Sequence, residues 1–219
     1  MDEELPYPSI VGLNEHAATL HYQHRDRQPP RRSLSLLIDA GASCRGYGSD
    51  ITRTWAMGPG AFAGLVDGMH ELQQELCEAV APGVDWRELH LTAHRLVARL
   101  LHAAGVLKIK AEEAVERGIS ATFLPHGLGH LLGLQVHDVG GFKASADGAP
   151  IARPPGHPAL RHDAQARERH GGYGGTWRLF HRQPAGCLAR RTERRHGELD
   201  AGGKRCAVTA ASASRTTLS

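Results

Sequence analysis

The sequence predicts an α+β fold, with helices packed on a largely antiparallel sheet. Three observations carry that prediction. Apolar, β-branched runs with strand character come first, at residues 9–13, 34–41 and 49–55. Two long segments with helical period follow, at 65–80 and 89–101. A glycine-rich stretch holding His126, His130 and His137 comes last, at 125–138.

The elements follow in order. Residues 1–8 are acidic and proline-containing and read as an extended lead-in. Residues 9–13 and 17–22, with Asn14-Glu15-His16 between them, read as a hairpin of two short strands. Residues 23–32 are polar, carry Pro29-Pro30 and form a loop. Residues 34–41 make a strand that is fully apolar before Asp39, 41–48 make a turn, and 49–55 return antiparallel. Asp39 and Asp50 then lie on neighbouring strands.

Leu65, Met69, Leu72, Leu76 and Val80 line one helix face, which Pro82-Gly83 ends. Asp85 is the expected N-cap of the next helix, with apolar face Leu89, Leu96, Val97, Leu100 and Leu101 and with Gly105 closing it. Residues 111–117 add a short helix. The glycine-rich strands carrying the histidines complete the order. Gly60, Gly64 and Gly68 read as packing positions, and His90, His94 and His102 as surface residues of the second helix.

Composition divides the chain. Residues 1–160 carry 14 Lys and Arg against 18 Asp and Glu, whereas 161–219 carry 12 against 5. The basic segment has few large apolar residues and no helical or strand period, so it cannot bury enough surface to offset its ordering entropy. Two domains result: residues 1–161, and a tail at 162–219. Cys44, Cys77, Cys187 and Cys206 show no metal-ligand spacing, and free thiols in a reducing cytoplasm are expected. No apolar run reaches the roughly 18 residues of a membrane span, so neither a membrane nor a membrane partner is expected.

The candidate chemistry lies in two carboxylates and three histidines. Alone, Asp39 is equally a turn or cap residue and Asp50 a solvent-facing one. Two carboxylates about 4.5–5.5 Å apart across a strand pair repel unless a cation lies between them, so together they point to a metal site. His126 and His130 have the i, i+4 spacing of a helical zinc motif, but Gly127 stands where the catalytic Glu belongs, and the glycines disfavour helix. A glycine-rich loop or strand that lets backbone approach a site closely fits better.

Residues 14–22, Ile38-Asp39-Ala40-Gly41, Asp50-Ile51-Thr52-Arg53-Thr54-Trp55 and the 125–142 stretch resemble the catalytic domain of bacterial Xaa-Pro dipeptidases. Aminopeptidase P and methionine aminopeptidase share the same "pita-bread" fold. The resemblance covers residues 5–161. It implies an incomplete pita-bread domain and hydrolysis of Xaa-Pro dipeptides by water activated at a dinuclear, most often Mn²⁺, centre. It implies Asp39 on one metal, Asp50 bridging both and His130 on the other. It also implies His126 and His137 at the substrate as catalytic residues, and His21 near the proline-side pocket. A homodimer in the full-length family belongs to the same expectation. The cytoplasmic location is expected from the cysteines and the lack of an apolar span, and no nucleic-acid partner is expected on the reading of the tail below. An aminopeptidase P-like exopeptidase and a non-catalytic pita-bread binding protein are the alternatives.

The chain departs from that pattern. The family's N-terminal domain and first catalytic helix are not in this sequence. Nor are the family's two glutamate ligands, borne on V-E-P-G-type and G-I-R-I-E-D-type strands, found after residue 161. With allowed codons, residues 170–177 read one base later give M-V-V-T-V-E-P-G. Residues 206–218 read two bases later give R-R-Y-G-G-I-R-I-E-D-N-V. The tail therefore reads as a frame-shifted, disordered continuation rather than a nucleic-acid arm. Activity of the chain as written is expected to be impaired.

Overall fold

The structure is a computed structural model that describes residues 5–143, 148–160 and 177–178. Strand β1 (Ile10–Leu13) leads into a 3-10 turn at Asn14–Ala18. Then come β2 (Ser35–Ala40), a small antiparallel pair β3 (Ser43–Cys44) and β4 (Tyr47–Gly48), and β5 (Ile51–Ala56). Helices α1 (Ala61–Ala79), α2 (Trp86–Ala103), α3 (Ala111–Glu116) and α4 (Ser120–Phe123) follow, then β6 (His130–Leu131) and β7 (Trp177–Arg178). The main sheet has order β1-β2-β5, antiparallel throughout. The architecture is α+β, as expected.

The hairpin expected over residues 9–22 is not formed. β1 pairs with β2, in the register Ile10↔Asp39 to Leu13↔Leu36, and residues 14–18 coil into the 3-10 turn. Asn14 is the cause. It takes a left-handed conformation (φ 52°), and its side chain binds the β2 entry. Its Oδ1 accepts from Leu34 N at 2.7 Å and Ser35 N at 3.3 Å, and its Nδ2 donates to Arg32 O at 2.9 Å. An Asn that tolerates φ > 0 and holds distant backbone in this way ends β1 and delivers the chain to a new partner.

The helices form as expected. Asp85 caps α2, accepting from Arg87 N at 2.9 Å. α1 and α2 pack face to face, and Gly68 admits Leu100, whose side chain a Cβ at 68 would strike. Gly60 and Gly64 meet nothing in this way, so packing accounts only for Gly68. The core joins Leu72 and Leu76 of α1 to Trp86, Leu89, Ala93 and Val97 of α2, with Leu128 and Leu160. A second cluster, Ala98, Leu107, Ala111 and Ala114, seats α3.

Two further expectations need correction. His90 and His94 are not surface residues: they are 2% and 1% exposed, whereas His102 is exposed. They fall on the same helical stripe as Trp86, Leu89, Ala93 and Val97. The histidine stretch is mainly turns and bends rather than strands, with only His130 and Leu131 in β6, paired to β7. Glycines at positive φ, such as Gly129 (φ 80°), interrupt any longer ladder. Cys44 and Cys77 are half-buried thiols. Cys187, Cys206 and all of the tail except Trp177 and Arg178 lie outside the described residues. Among the described residues no helix is long and apolar enough to cross a membrane.

Candidate metal centre and substrate cleft

Asp39 lies near the end of β2, directly opposite Thr52 of β5. Asp50 sits one residue before β5, two positions from Thr52, so the two carboxylates are diagonal rather than direct partners. Diagonal positions share a sheet face. Tyr7 joins them: its hydroxyl oxygen lies 2.6 Å from Asp39 Oδ1 and 3.0 Å from Asp50 Oδ1. One phenolic proton serves two carboxylates. Burial, the bond to Asp39 and the charge of Asp50 raise the Tyr7 pKa far above that of a free phenol. Burial also raises the Asp39 carboxyl; the Tyr7 bond opposes the rise and the Asp50 charge adds to it.

Tyr7 was not singled out in the sequence. The available signal was chemical: two facing carboxylates require a donor or a cation between them. Gly41 makes room, because a Cβ there would collide with Ser49 O and with the Tyr7 and Pro6 side chains.

On the other side of Asp50 stands His130, 6% exposed, its Nε2 at 3.4 Å from Asp50 Oδ2. His130 Nδ1 lies 3.0 Å from Leu131 O. A carbonyl only accepts, so Nδ1 carries a hydrogen and Nε2 is the nitrogen turned towards the carboxylate. Asp50 thus has Asp39 on one side, across Tyr7, and His130 on the other.

Long-range contacts bring the histidine stretch here. Trp86 Nε1 donates to Leu128 O, and Gly48 N donates to Gly133 O at 3.0 Å. Asp138 N donates to Leu131 O at 3.0 Å, folding the stretch back so that the His137 ring meets His130 edge to face, 4.4 Å between centroids. Gly133 is needed at this fold, because a Cβ would run into the Asp138 carboxylate.

His21 and His126 meet Asp39 in a cleft of about 480 Å³. Leu20, Thr54 and Phe123 also line it, and its floor is formed by the core residues Leu72, Leu76, Ala93, Val97 and Leu128. His21 holds φ 56°, a conformation rare for a non-glycine residue and common at functional sites. Burial lowers the His126 pKa, the Gly127 backbone opposes the fall, and the neighbouring His21 charge adds to it. Of the six residues expected from the sequence, Asp39, Asp50, His130 and His137 are linked through direct contacts, and His21 and His126 line a cleft with Asp39.

The donor set fits divalent cations. Two carboxylates and an imidazole suit hard or borderline ions. Asp39 and Asp50 share a proton donor at the place a bridging cation would serve, and His130 Nε2 lies 3.4 Å from a carboxylate oxygen of Asp50. Opposed acceptors of this kind are stabilised by a positive charge between them.

Residues 2–157 match the model of metallopeptidase family M24. The chain is 54% identical over 159 residues to a Xaa-Pro dipeptidase of Stenotrophomonas maltophilia strain K279a, covering 72% of this chain and 36% of that protein. It is 52% identical over the same length to a Xaa-Pro dipeptidase of Xanthomonas campestris pv. campestris strain B100, with the same coverage. The chain thus spans about a third of the length of the curated relatives it matches. Among solved structures, Zn-substituted Escherichia coli aminopeptidase P in complex with product matches with TM-score 0.59 and 30% identity, covering 68% of this chain and 34% of that one. Pseudomonas aeruginosa aminopeptidase PepP matches with TM-score 0.54 and 31% identity, at the same coverage. With the family model matched over most of its length, the chain belongs to metallopeptidase family M24.

Proposed function

We propose that this chain carries part of a metal-dependent peptidase that hydrolyses dipeptides with proline at the C-terminal end. The observation that carries the reading is the contact order Asp39, Asp50, His130 beside a cleft lined by His21 and His126. Asp39 would hold one metal ion, His130 a second, and Asp50 both. Carboxylate-rich donors favour Mn²⁺. Divalent ions there would supply Lewis acidity, lowering the pKa of the attacking water and polarising the scissile carbonyl. His126 and His137 would hydrogen-bond the reacting carbonyl and its developing charge. His21, in the cleft, would border the proline ring.

In this reading residues 1–161 are a partial catalytic domain, and residues 162–219 are a frame-shifted continuation whose positive charge reflects its reading frame rather than a nucleic-acid partner. Three ligands of the family's five hold metal weakly, so the chain as written has negligible activity. We place it in the cytoplasm, with dimerisation a property of the full-length form. Keeping Asp39, Asp50, His126, His130 and His137 together argues against a binding module that has lost its metals.

The likeness to solved aminopeptidases P supports a second reading, an exopeptidase acting on longer peptides. A chain with its frame restored, supplied with Mn²⁺, separates the two. Hydrolysis of Met-Pro in preference to a longer Xaa-Pro peptide supports the dipeptidase. The reverse preference supports the exopeptidase, and hydrolysis of neither refutes both.

A further inference from the structure

A second group of donors lies away from the carboxylates. His90 and His94 stand one turn apart on α2, 2% and 1% exposed, and half-buried His157 comes from the 148–160 segment. Their rings form a compact triangle, with centroids 4.6 Å (His90–His94), 4.7 Å (His90–His157) and 4.5 Å (His94–His157) apart. One nitrogen from each lies within 4.8 Å of the other two. We propose that His90, His94 and His157 form an imidazole-only site for a borderline transition-metal ion such as Zn²⁺, separate from the Asp39–Asp50–His130 centre.

Hydrogen bonding supports the assignment. His94 Nδ1 meets Ser120 Oγ at 3.0 Å, a partner that fixes the ring, while its buried Nε2 has no hydrogen-bond partner among the described residues. His90 Nε2 lies 3.0 Å from His157 Nδ1, and its buried Nδ1 has no partner among the described residues. A buried, unsatisfied polar group is costly, and a core position on α2 would be filled more favourably by Leu or Ala if packing were the only demand. His94, held at Nδ1 by Ser120 with its second nitrogen buried and unpartnered among the described residues, is in the usual state of a metal-ligating histidine. Three imidazoles match the protein ligand set of a Zn²⁺ site of open coordination.

The chemistry separates this site from the carboxylate centre. Imidazole favours Zn²⁺, Cu²⁺ and Ni²⁺, whereas carboxylate and water favour Mn²⁺ and Mg²⁺. An ion here would also tie the 148–160 segment to α2 and, through Ser120, to α4.

The test is Zn²⁺ binding to the metal-stripped full chain by calorimetry and elemental analysis. Asp39→Asn/Asp50→Asn is expected to keep one Zn²⁺ equivalent. His157→Ala, at a half-exposed loop position, is expected to lose it while far-UV circular dichroism stays unchanged, and His94→Gln to lose it as well. Ser120→Ala is expected to weaken it by about 10–100-fold. If the Zn²⁺ equivalent survives both His157→Ala and His94→Gln, or disappears with Asp39→Asn/Asp50→Asn, the assignment is overturned.

Discussion

Asp50 and His130, eighty positions apart in sequence, meet with Oδ2 3.4 Å from Nε2, while the same carboxylate shares the Tyr7 hydroxyl with Asp39. One aspartate just outside a strand thus touches both halves of the site. Its position is set by the β2–β5 register and by the backbone bond from Gly48 N to Gly133 O.

Tyr7→Phe removes the proton that separates Asp39 from Asp50. The expected cost is about 1.5–3 kcal/mol at neutral pH, the scale of a hydrogen bond to a charged group. Excess Mn²⁺ should recover part of it by placing positive charge between the carboxylates. Urea unfolding with and without Mn²⁺ measures both; an unchanged midpoint in the variant would show that the hydroxyl stabilises nothing.

Asp39→Asn should raise the metal-free melting temperature at pH 7 while removing Mn²⁺ binding. The folded carboxyl titrates above its unfolded value, chiefly through burial. The native state therefore holds its proton to higher pH than the unfolded state does. Stability linked to this group is complete below the unfolded pKa and is lost as pH rises through the folded one. The variant's advantage should appear at pH 7 and vanish near pH 3, read by thermal scans in EDTA.

Trp86→Phe deletes the indole N–H that holds Leu128 O and leaves that carbonyl buried and unsatisfied. The expected loss is about 1–3 kcal/mol. Because Leu128 lies two residues from both His126 and His130, Mn²⁺ affinity should fall as well. A variant with parental stability and affinity would show that this bond does not position the stretch.

Acid should weaken the metal-free fold through α2. Burial, then neighbouring histidines, pushes the pKa of His90 down to about 3 and that of His94 down to about 4. Unfolding restores both towards about 6.5. The unfolded state binds more protons between those values, so stability present above pH 6.5 is lost as pH falls towards 3. In EDTA, His94→Gln should flatten the fall between pH 6.5 and 4. An equally steep fall in the variant would place the acid sensitivity elsewhere.

Much of this was readable from residues, and the exceptions have physical causes. Strands around Asp39 and Asp50 and the Asp85 cap depend on local pattern, which sequence carries. The false hairpin at 9–22 failed because a single Asn14 bonds backbone about twenty positions away, a partner no local period announces. His90 and His94 were misplaced by residue type, although Trp86, Leu89, Ala93 and Val97 already marked their stripe as the inner one. Tyr7 sits in a segment without period. The resemblance supplied Asp39, Asp50 and His130 as a set, and only the folded chain showed how Tyr7 and Gly41 are built around them.

The frame-shift reading is checked by the nucleotide sequence across codons 155–219. Codons compatible with V-E-P-G one base out of register and with G-I-R-I-E-D two bases out are expected. Codons that cannot encode them would refute it.

The most direct test of the centre is titration of the metal-stripped chain with Mn²⁺ by isothermal calorimetry, beside Asp50→Asn. An incomplete site organised around Asp50 should bind Mn²⁺ weakly and lose that binding in the variant. Tight binding of two Mn²⁺ ions to the chain as written, or weak binding that Asp50→Asn leaves untouched, would contradict it.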